Sequence, residues 1–364
     1  MIRITIPVQP RPYEAVIEHG LLRRVGEYLR EILTGGERLF VVTVPPVRQK
    51  WGKKLMASLS AAGFPAKWVE MREGERAKKL ATVEELAEKL PGLGADRDAV
   101  IVAFGGGVVG DVAGLLASLY MRGVDVVQIP TTVVAQVDAS IGGKTGVNLR
   151  AGKNLLGTFH QPRAVLIDPA VLGTLPEREF RAGLYEALKC GVIGKPELFQ
   201  QFEENKNKIL KRDHAILESL IAESVKLKAE IVAADEHESG LRRVLNLGHT
   251  IGHALEAETG YQRLLHGEAV AWGMIAATNI ALSMGKIDSV TAGRIADAVL
   301  GLGPLPRVHV RRANIVRRLQ ADKKTRDGVV HFVLPTAIGK VEVARNVPEK
   351  VVGQAVDELR RLST

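Results

Sequence analysis

At 364 residues the chain exceeds what one hydrophobic core ordinarily supports and suits two domains. Its 46% hydrophobic and 25% charged residues exclude a disordered or low-complexity polymer. The formal charge of +9 is spread among acids, with aromatics at only 4%, so the basic-aromatic stripe of a nucleic-acid binder is missing and a small anionic substrate is the better match.

The first twenty residues, MIRITIPVQPRPYEAVIEHG, alternate apolar and polar positions, which predicts a strand and not a secretory leader. LFVVTV (39–44), AKWVEM (66–71), AVIVAFGGG (99–107), VDVVQIPTT (124–132) and AVLIDPAVLGTLP (164–176) read as further strands. Helical stretches around 53–63 and 83–94 separate the earlier ones, an alternation that predicts parallel strands with crossover helices. Beyond Pro176 the apolar spacing turns helical through EREFRAGLYEALKCGVIG, HAILESLIAESVKLKAEIVAADE, LNLGHTIGHALEAETG and HGEAVAWGMIAATNIALSMG. The apolar run AVAWGMIAATNIALSMG contains Thr278 and Asn279 and predicts a buried helix, not a membrane span. A small hairpin is expected in GVVHFVLPTAIGKVEVARNV, then a helix from about Pro348. The expected fold is an α/β N-terminal dinucleotide-binding domain with a parallel sheet, residues 1–176, followed by a mostly α-helical metal- and substrate-binding domain, residues 177–364. A single cysteine, Cys190, fits a reducing compartment such as the cytoplasm.

AVIVAFGGGVVGDVAGLLAS places Gly105, Gly107 and Gly110 in the spacing G-x-G-x-x-G, after a strand and before a helix. Glycines there let backbone approach a pyrophosphate, which the helix N-terminus favours. The motif stands some 100 residues into the chain and no acidic ribose ligand ends the next strand, so a variant dinucleotide domain is expected. Glu75 and Lys78 in EGERAKKL are candidate polar contacts. PTTVVAQVDASIGGKTGVN is not a phosphate-binding loop of the ATPase type, because Asp138 stands where the first glycine is required. Lys144 beside Gly142 and Gly143 remains a candidate anion contact.

His249 and His253 fall on one helical face at i and i+4, His266 opens the next helix with Glu268, and Glu186 and Lys189 share a face at i and i+3. One carboxylate and three imidazoles can supply the three protein ligands of a catalytic zinc site. Spacing does not say which histidine is omitted, and its simplest choice is the i, i+4 pair with Glu186. Lys189, Lys228, Arg242, Lys323 and Lys324 add cations in otherwise apolar surroundings. Together these features point to redox chemistry on a hydroxylated polyanion.

Taken jointly, GGGVVGDVAGLLAS, PTTVVAQVDASIGGKTGVN, KNLLGTFHQP, LNLGHTIGHALE, HGEAVAWGM and DKK resemble the 3-dehydroquinate synthase family of sugar phosphate cyclases over nearly the whole chain. The resemblance implies a divalent metal, zinc or cobalt, on Glu186, His249 and His266, which divides the i, i+4 pair and leaves His253 to act on substrate. It implies NAD held by Glu75, Lys78, Gly105, Gly106, Gly107, Asp111, Thr131, Thr132, Lys144 and Lys153. It implies substrate contacts from Asp138, Lys144, Asn154, Lys189, Lys228, Arg242, Asn246, His253 and Lys324. It further implies a homodimer in which Arg122 reaches the phosphate bound by a neighbouring subunit. Where the family commonly has an acid for the adenosine ribose, this chain reads VVTVPPVRQKWG, with Val44 and Pro45, so an altered NAD affinity is expected.

The implied substrate is 3-deoxy-D-arabino-heptulosonate 7-phosphate, a sugar acid phosphate. The implied reaction is a carbon-oxygen lyase sequence of the shikimate pathway: transient oxidation by NAD, phosphate elimination, re-reduction and intramolecular aldol closure. Another sugar phosphate cyclase and a metal-dependent polyol dehydrogenase are the alternatives. No nucleic-acid or membrane partner is expected.

Overall fold

The structure is a computed structural model that describes residues 1–9, 11–325, 330–345 and 347–363, with the backbone alone for 321–325. The chain divides into two compact units, Met1–Leu175 with Leu217–His237, and Pro176–Ile216 with Glu238–Thr364. The first unit therefore includes a later segment, and Lys228 belongs to it.

In the first unit, β1 (Ile2–Ile6), β2 (Tyr13–Ile17), β3 (Leu39–Thr43), β4 (Ala66–Glu70), β5 (Val100–Gly105), β6 (Asp125–Pro130) and a later strand, Ala164–Ile167, form one sheet. Between β6 and that later strand lies a hairpin, β7 (Lys144–Leu149) and β8 (Gly152–Phe159), so the later strand is β9. The sheet order is β1-β2-β9-β6-β5-β3-β4, parallel throughout except for the antiparallel edge pair β1–β2. β1 is thus the exception to the parallel arrangement expected from sequence, since a short connection to β2 reverses the chain.

The two faces of the sheet bury different partners. Phe40 and Val42 of β3, with Ile101 and Ala103 of β5, pack on the side of α3 (Leu80–Gly92) and α4 (Gly107–Leu119). Leu39 and Val41, with Val100, Val102 and Phe104, pack on the side of α1 (Val25–Ile32) and α2 (Pro45–Ala61). Alternate side chains face opposite ways along a strand, so a strand covered on both faces reads as an unbroken apolar run. The chain order reverses between β3 and β5, which places the ends Thr43 and Gly105 beside a crevice of the type where α/β folds bind nucleotides.

The second unit is built from α5 (Glu177–Ile193), α6 (Pro196–Leu210), the start of α7 (His214–Ala234), α8 (His249–Glu258), α9 (His266–Ser283), α10 (Ser289–Gly301), α11 (Arg312–Thr325), the antiparallel hairpin β10 (Phe332–Ala337) with β11 (Lys340–Ala344), and α12 (Glu349–Leu362). α9 is buried on nearly every side, as its apolar run predicts. Among the described residues no helix is long and apolar enough to cross a membrane.

Small residues let α9 approach its neighbours. A Cβ on Gly267 would stand 1.8 Å from the Ala182 carbonyl oxygen of α5, and one on Gly273 would stand 1.8 Å from the Gly248 carbonyl oxygen. Gly248 itself has φ +80°, a left-handed conformation that lets the chain turn sharply into α8.

Candidate active site

α5, α8 and α9 each contribute a side chain to one centre. Glu186, in the middle of α5, is fully buried, and neither of its oxygens accepts a well-formed hydrogen bond from the described residues. Its Oε1 lies 3.9 Å from His249 Nε2 and 3.4 Å from His266 Nε2. One donor atom from each of these three residues falls within 4.8 Å of the others. His253 instead groups with Glu256 and His266. The i, i+4 pair with Glu186, the simplest choice on spacing, is not the set that the geometry gathers.

Both histidine-bearing helices begin at a ligand candidate: His249 is the first residue of α8 and His266 the first of α9. Glu268 holds the start of α9 by accepting the Leu265 backbone N–H at 2.8 Å. Arg178 of α5 grips that carboxylate with two hydrogen bonds, 2.6 and 2.8 Å, so the helix of Glu186 is tied to the helix start of His266.

The electrostatics follow from burial and contact. Burial opposes the Glu186 charge, but Lys189, with Nζ 2.5 Å from Oε2, and the two imidazoles outweigh it and hold the carboxyl well below its ordinary value. Burial and the Lys189 charge keep His249 neutral, well below the usual imidazole range. Burial also opposes a charge on His266, yet Glu186 and Glu256 on its two sides raise it to about 10. Glu256, to which the sequence alone gives no role, places its Oε2 3.5 Å from His266 Nδ1. His253 is exposed on α8, with ring centroids 5.3 Å from His249 and 5.9 Å from His266.

Elsewhere in this unit Arg242 is buried and Asn246 donates to Glu238 Oε1 at 2.9 Å, a second carboxylate not singled out from sequence. Lys323 and Lys324 lie outside the described side chains.

In the first unit, Gly105, Gly106 and Gly107 form the turn from β5 into α4, as the spacing predicts. A Cβ on Gly106 would come 2.9 Å from Thr132 Cγ2, so glycine keeps this approach open. The Thr131 backbone N–H donates to the Gly105 carbonyl at 2.9 Å, which brings the threonine pair beside the turn. Lys78 is buried, contacts the Asp111 carboxylate, and reaches Asn154 Oδ1 at 2.5 Å. Burial raises the Asp111 carboxyl above its ordinary value despite Lys78.

Asn148 connects this group by donating to Glu75 Oε1 at 2.7 Å and accepting the Asn154 N–H at 3.0 Å, and Lys153 lies 3.8 Å from the same Glu75 oxygen. Asn154 has φ +55° and is exposed on β8. Lys144 begins β7 directly after Gly142 and Gly143 and is exposed. Asp138, in a π-helical turn at Ala135–Ala139, accepts from Lys228 Nζ at 2.6 Å. Arg122 is exposed with φ +67°, next to Met121 with φ +48°.

A sheet with a glycine turn at its nucleotide crevice, followed by helices that gather a carboxylate and two imidazoles, is an architecture found in sugar phosphate cyclases. The structure of ValA, a 2-epi-5-epi-valiolone synthase from Streptomyces hygroscopicus subsp. jinggangensis 5008 with NAD+ and Zn2+ bound, aligns with a TM-score of 0.89 and 32% identity over 98% of both chains. That of 2-deoxy-scyllo-inosose synthase, complexed with carbaglucose-6-phosphate, NAD+ and Co2+, aligns with a TM-score of 0.84 and 26% identity over 98% of this chain and 99% of the other. More specifically, the chain belongs to the 3-dehydroquinate synthase family: the family's N-terminal model matches residues 68–182 and its C-terminal model residues 183–325. The 3-dehydroquinate synthase of Koribacter versatilis (strain Ellin345) is 55% identical over 363 residues, covering 100% of this chain and 99% of that protein.

Proposed function

We propose that the chain is a carbon-oxygen lyase that converts 3-deoxy-D-arabino-heptulosonate 7-phosphate to 3-dehydroquinate and inorganic phosphate, a step of the shikimate pathway. The observation that carries this reading is the convergence of Glu186, His249 and His266, with Lys189 against the same carboxylate. A dry carboxylate without a well-formed hydrogen bond, facing two Nε2 atoms, suits a divalent ion, zinc or cobalt, and leaves a coordination position for substrate. The glycine turn, kept open at Gly106, suits the pyrophosphate of NAD, with Glu75, Lys78, Asp111, Thr131, Thr132, Lys144 and Lys153 as polar contacts.

When bound, these cofactors supply what side chains lack: reversible hydride transfer at one carbon and stabilisation of negative charge on neighbouring oxygens. The residues of the chain bind and orient. Lys144, Asn154, Lys189, Arg242 and His253 would hold the anionic groups so that the leaving phosphate itself accepts the proton from C6 as the C7–O bond breaks. Asp138, Lys228, Asn246 and Lys324 complete the proposed substrate contacts. Ring opening and intramolecular aldol closure then give the carbocycle.

The test is to incubate metal-loaded protein with the heptulosonate phosphate and substoichiometric NAD, following phosphate, NADH and 3-dehydroquinate. Phosphate and product in many-fold excess over NAD, without net NADH, support the reading. Lasting NADH without phosphate would instead indicate a polyol dehydrogenase. Silence with this substrate but turnover of another sugar phosphate would indicate a different cyclase.

The same reading includes a homodimer and residence in the cytoplasm. The exposed turn that carries Leu119, Met121 and Arg122, two of them left-handed, is a suitable surface for contact with a second copy. The single thiol of Cys190, buried in α5, suits a reducing compartment.

A further inference from the structure

The two imidazoles that face Glu186 are held from behind by different acceptors. His249 turns Nε2 to the carboxylate and Nδ1 to the Leu247 carbonyl oxygen at 3.2 Å. His266 turns Nε2 to the same carboxylate and Nδ1 to Glu256 Oε2 at 3.5 Å. The first acceptor is a neutral backbone group and the second a carboxylate that is only 1% exposed.

A carboxylate so deeply buried keeps its charge only through its contacts, because an uncompensated charge away from water is costly. Helix packing makes His266 one of them. Glu256 lies on α8 seven residues after His249, and a Cβ on Gly252 of the same helix would stand 2.9 Å from the Ala269 carbonyl oxygen of α9. Such close backbones let a side chain near the end of α8 meet a ring at the start of α9.

We infer that Glu256 is a positioning residue for His266: its carboxylate accepts the Nδ1 proton, fixes the tautomer, and aims the Nε2 lone pair at the point shared with Glu186 and His249. This rests on the reading of those three residues as metal donors. A carboxylate behind the ring also makes Nε2 the stronger base, as in the carboxylate–histidine pairs of metal sites. The two imidazoles are then unequal donors, and removing Glu256 weakens only one of them.

The test uses the full-length protein. Metal-free wild type, Glu256→Gln, Glu256→Leu and His266→Ala are titrated with Co2+, reading affinity and the visible absorption of the bound ion, with circular dichroism to verify folding. Glu256→Leu is expected to bind about 10- to 100-fold more weakly, with a shifted visible band. Glu256→Gln, whose amide oxygen can still accept the proton, is expected in between. A Glu256→Leu protein with wild-type affinity and spectrum, alongside a His266→Ala protein that loses the ion, would overturn the inference and leave the donor set standing. His266→Ala with wild-type affinity and spectrum would overturn the donor set itself. Should Glu256→Leu fail to fold, zinc-loaded wild type labelled with 15N-histidine decides: a His266 Nδ1 proton protected from solvent exchange and shifted well downfield of the His249 Nδ1 proton, as a carboxylate acceptor requires, supports the inference, and a His266 proton no further downfield overturns it.

Discussion

Lys189 Nζ lies 2.5 Å from Glu186 Oε2, one turn along α5, with both side chains sealed from solvent. Removing one member of a buried pair leaves the other charge uncompensated, at a cost of about 3–5 kcal/mol. An ion on the other oxygen of Glu186 would supply much of the missing positive charge. Lys189→Met is therefore expected to lower the melting temperature of metal-free protein by about 10 °C, and zinc is expected to restore most of that loss. Calorimetry with and without zinc measures both; an equal loss in the two states would mean that Lys189 and the ion do not share Glu186. Turnover is expected to fall even with zinc, since the proposed anion contact is gone.

The Arg178–Glu268 clamp gives a second expectation. Glu268 keeps its hydrogen bond from Leu265 when Arg178 is removed, and Arg178 is half exposed, so the loss is smaller than for a sealed pair. Arg178→Ala is expected to destabilise by about 1.5–3 kcal/mol, the range for hydrogen bonds to a charged group. Because the clamp joins α5 to the first turn of α9, zinc affinity should fall as well. Chemical denaturation and competition with a chelator read the two effects; a stability loss with unchanged zinc affinity would make the clamp purely structural.

In metal-free protein His266 is raised to about 10 from 6.5 by its two carboxylates, against burial. A raised histidine stabilises fully below its unfolded value and loses that contribution as pH rises through its folded value. The metal-free protein should therefore lose stability between about pH 6.5 and 10, while zinc, which needs a neutral ring, should bind more tightly over the same interval and release a proton. Denaturation curves across this range, with proton release measured by calorimetry in buffers of different ionisation enthalpy, check both signs. A zinc affinity independent of pH would contradict this account.

Local patterns carried the parts of this fold that the sequence made legible. The i, i+3 pair Glu186 and Lys189, the glycine turn at Gly105–Gly107 and the helix start at His266 all lie where spacing predicts them, whereas α8 begins only at His249, four residues into the stretch read as helical. The hairpin β7–β8 was not legible, because Leu155, Leu156 and Phe159 are all exposed and no apolar alternation marks the strand. What closes it is the approach of Gly157 to the Thr145 carbonyl, where a Cβ would stand 1.9 Å away, and glycine alone carries no strand signal.

Glu256 stands within LNLGHTIGHALE, yet a lone acid on a helix reads as a solvated charge until α9 covers it. Which histidines face Glu186 likewise depends on how the helices pack, α8 on α9 through Gly252 and Gly273, and α9 on the distant α5 through Gly267. Residues 217–237 group with the first unit although their own pattern is simply helical, so no local signal assigned them there.

Val44 offers the last expectation, and it tests how the first unit holds a nucleotide. It follows β3 directly, and β3 pairs with β5, whose end carries the glycine turn, so Val44 and the turn border one crevice. Val44 is also the N-cap of α2 and makes no side-chain hydrogen bond to that helix. An aspartate there could cap α2, worth about 1 kcal/mol, which offsets the partial burial lost with the valine. Turned from the apolar cluster that Val44 packs against toward the end of β5, the carboxylate would also accept hydrogen bonds from ribose hydroxyls. Val44→Asp is therefore expected to tighten NAD binding about tenfold, the size of one charge-assisted hydrogen bond, with stability nearly unchanged. Titration calorimetry with NAD checks it. Unchanged affinity in a protein of unchanged melting temperature would mean that the ribose does not reach the end of β3, and that the altered NAD affinity expected from Val44 has no basis in this crevice.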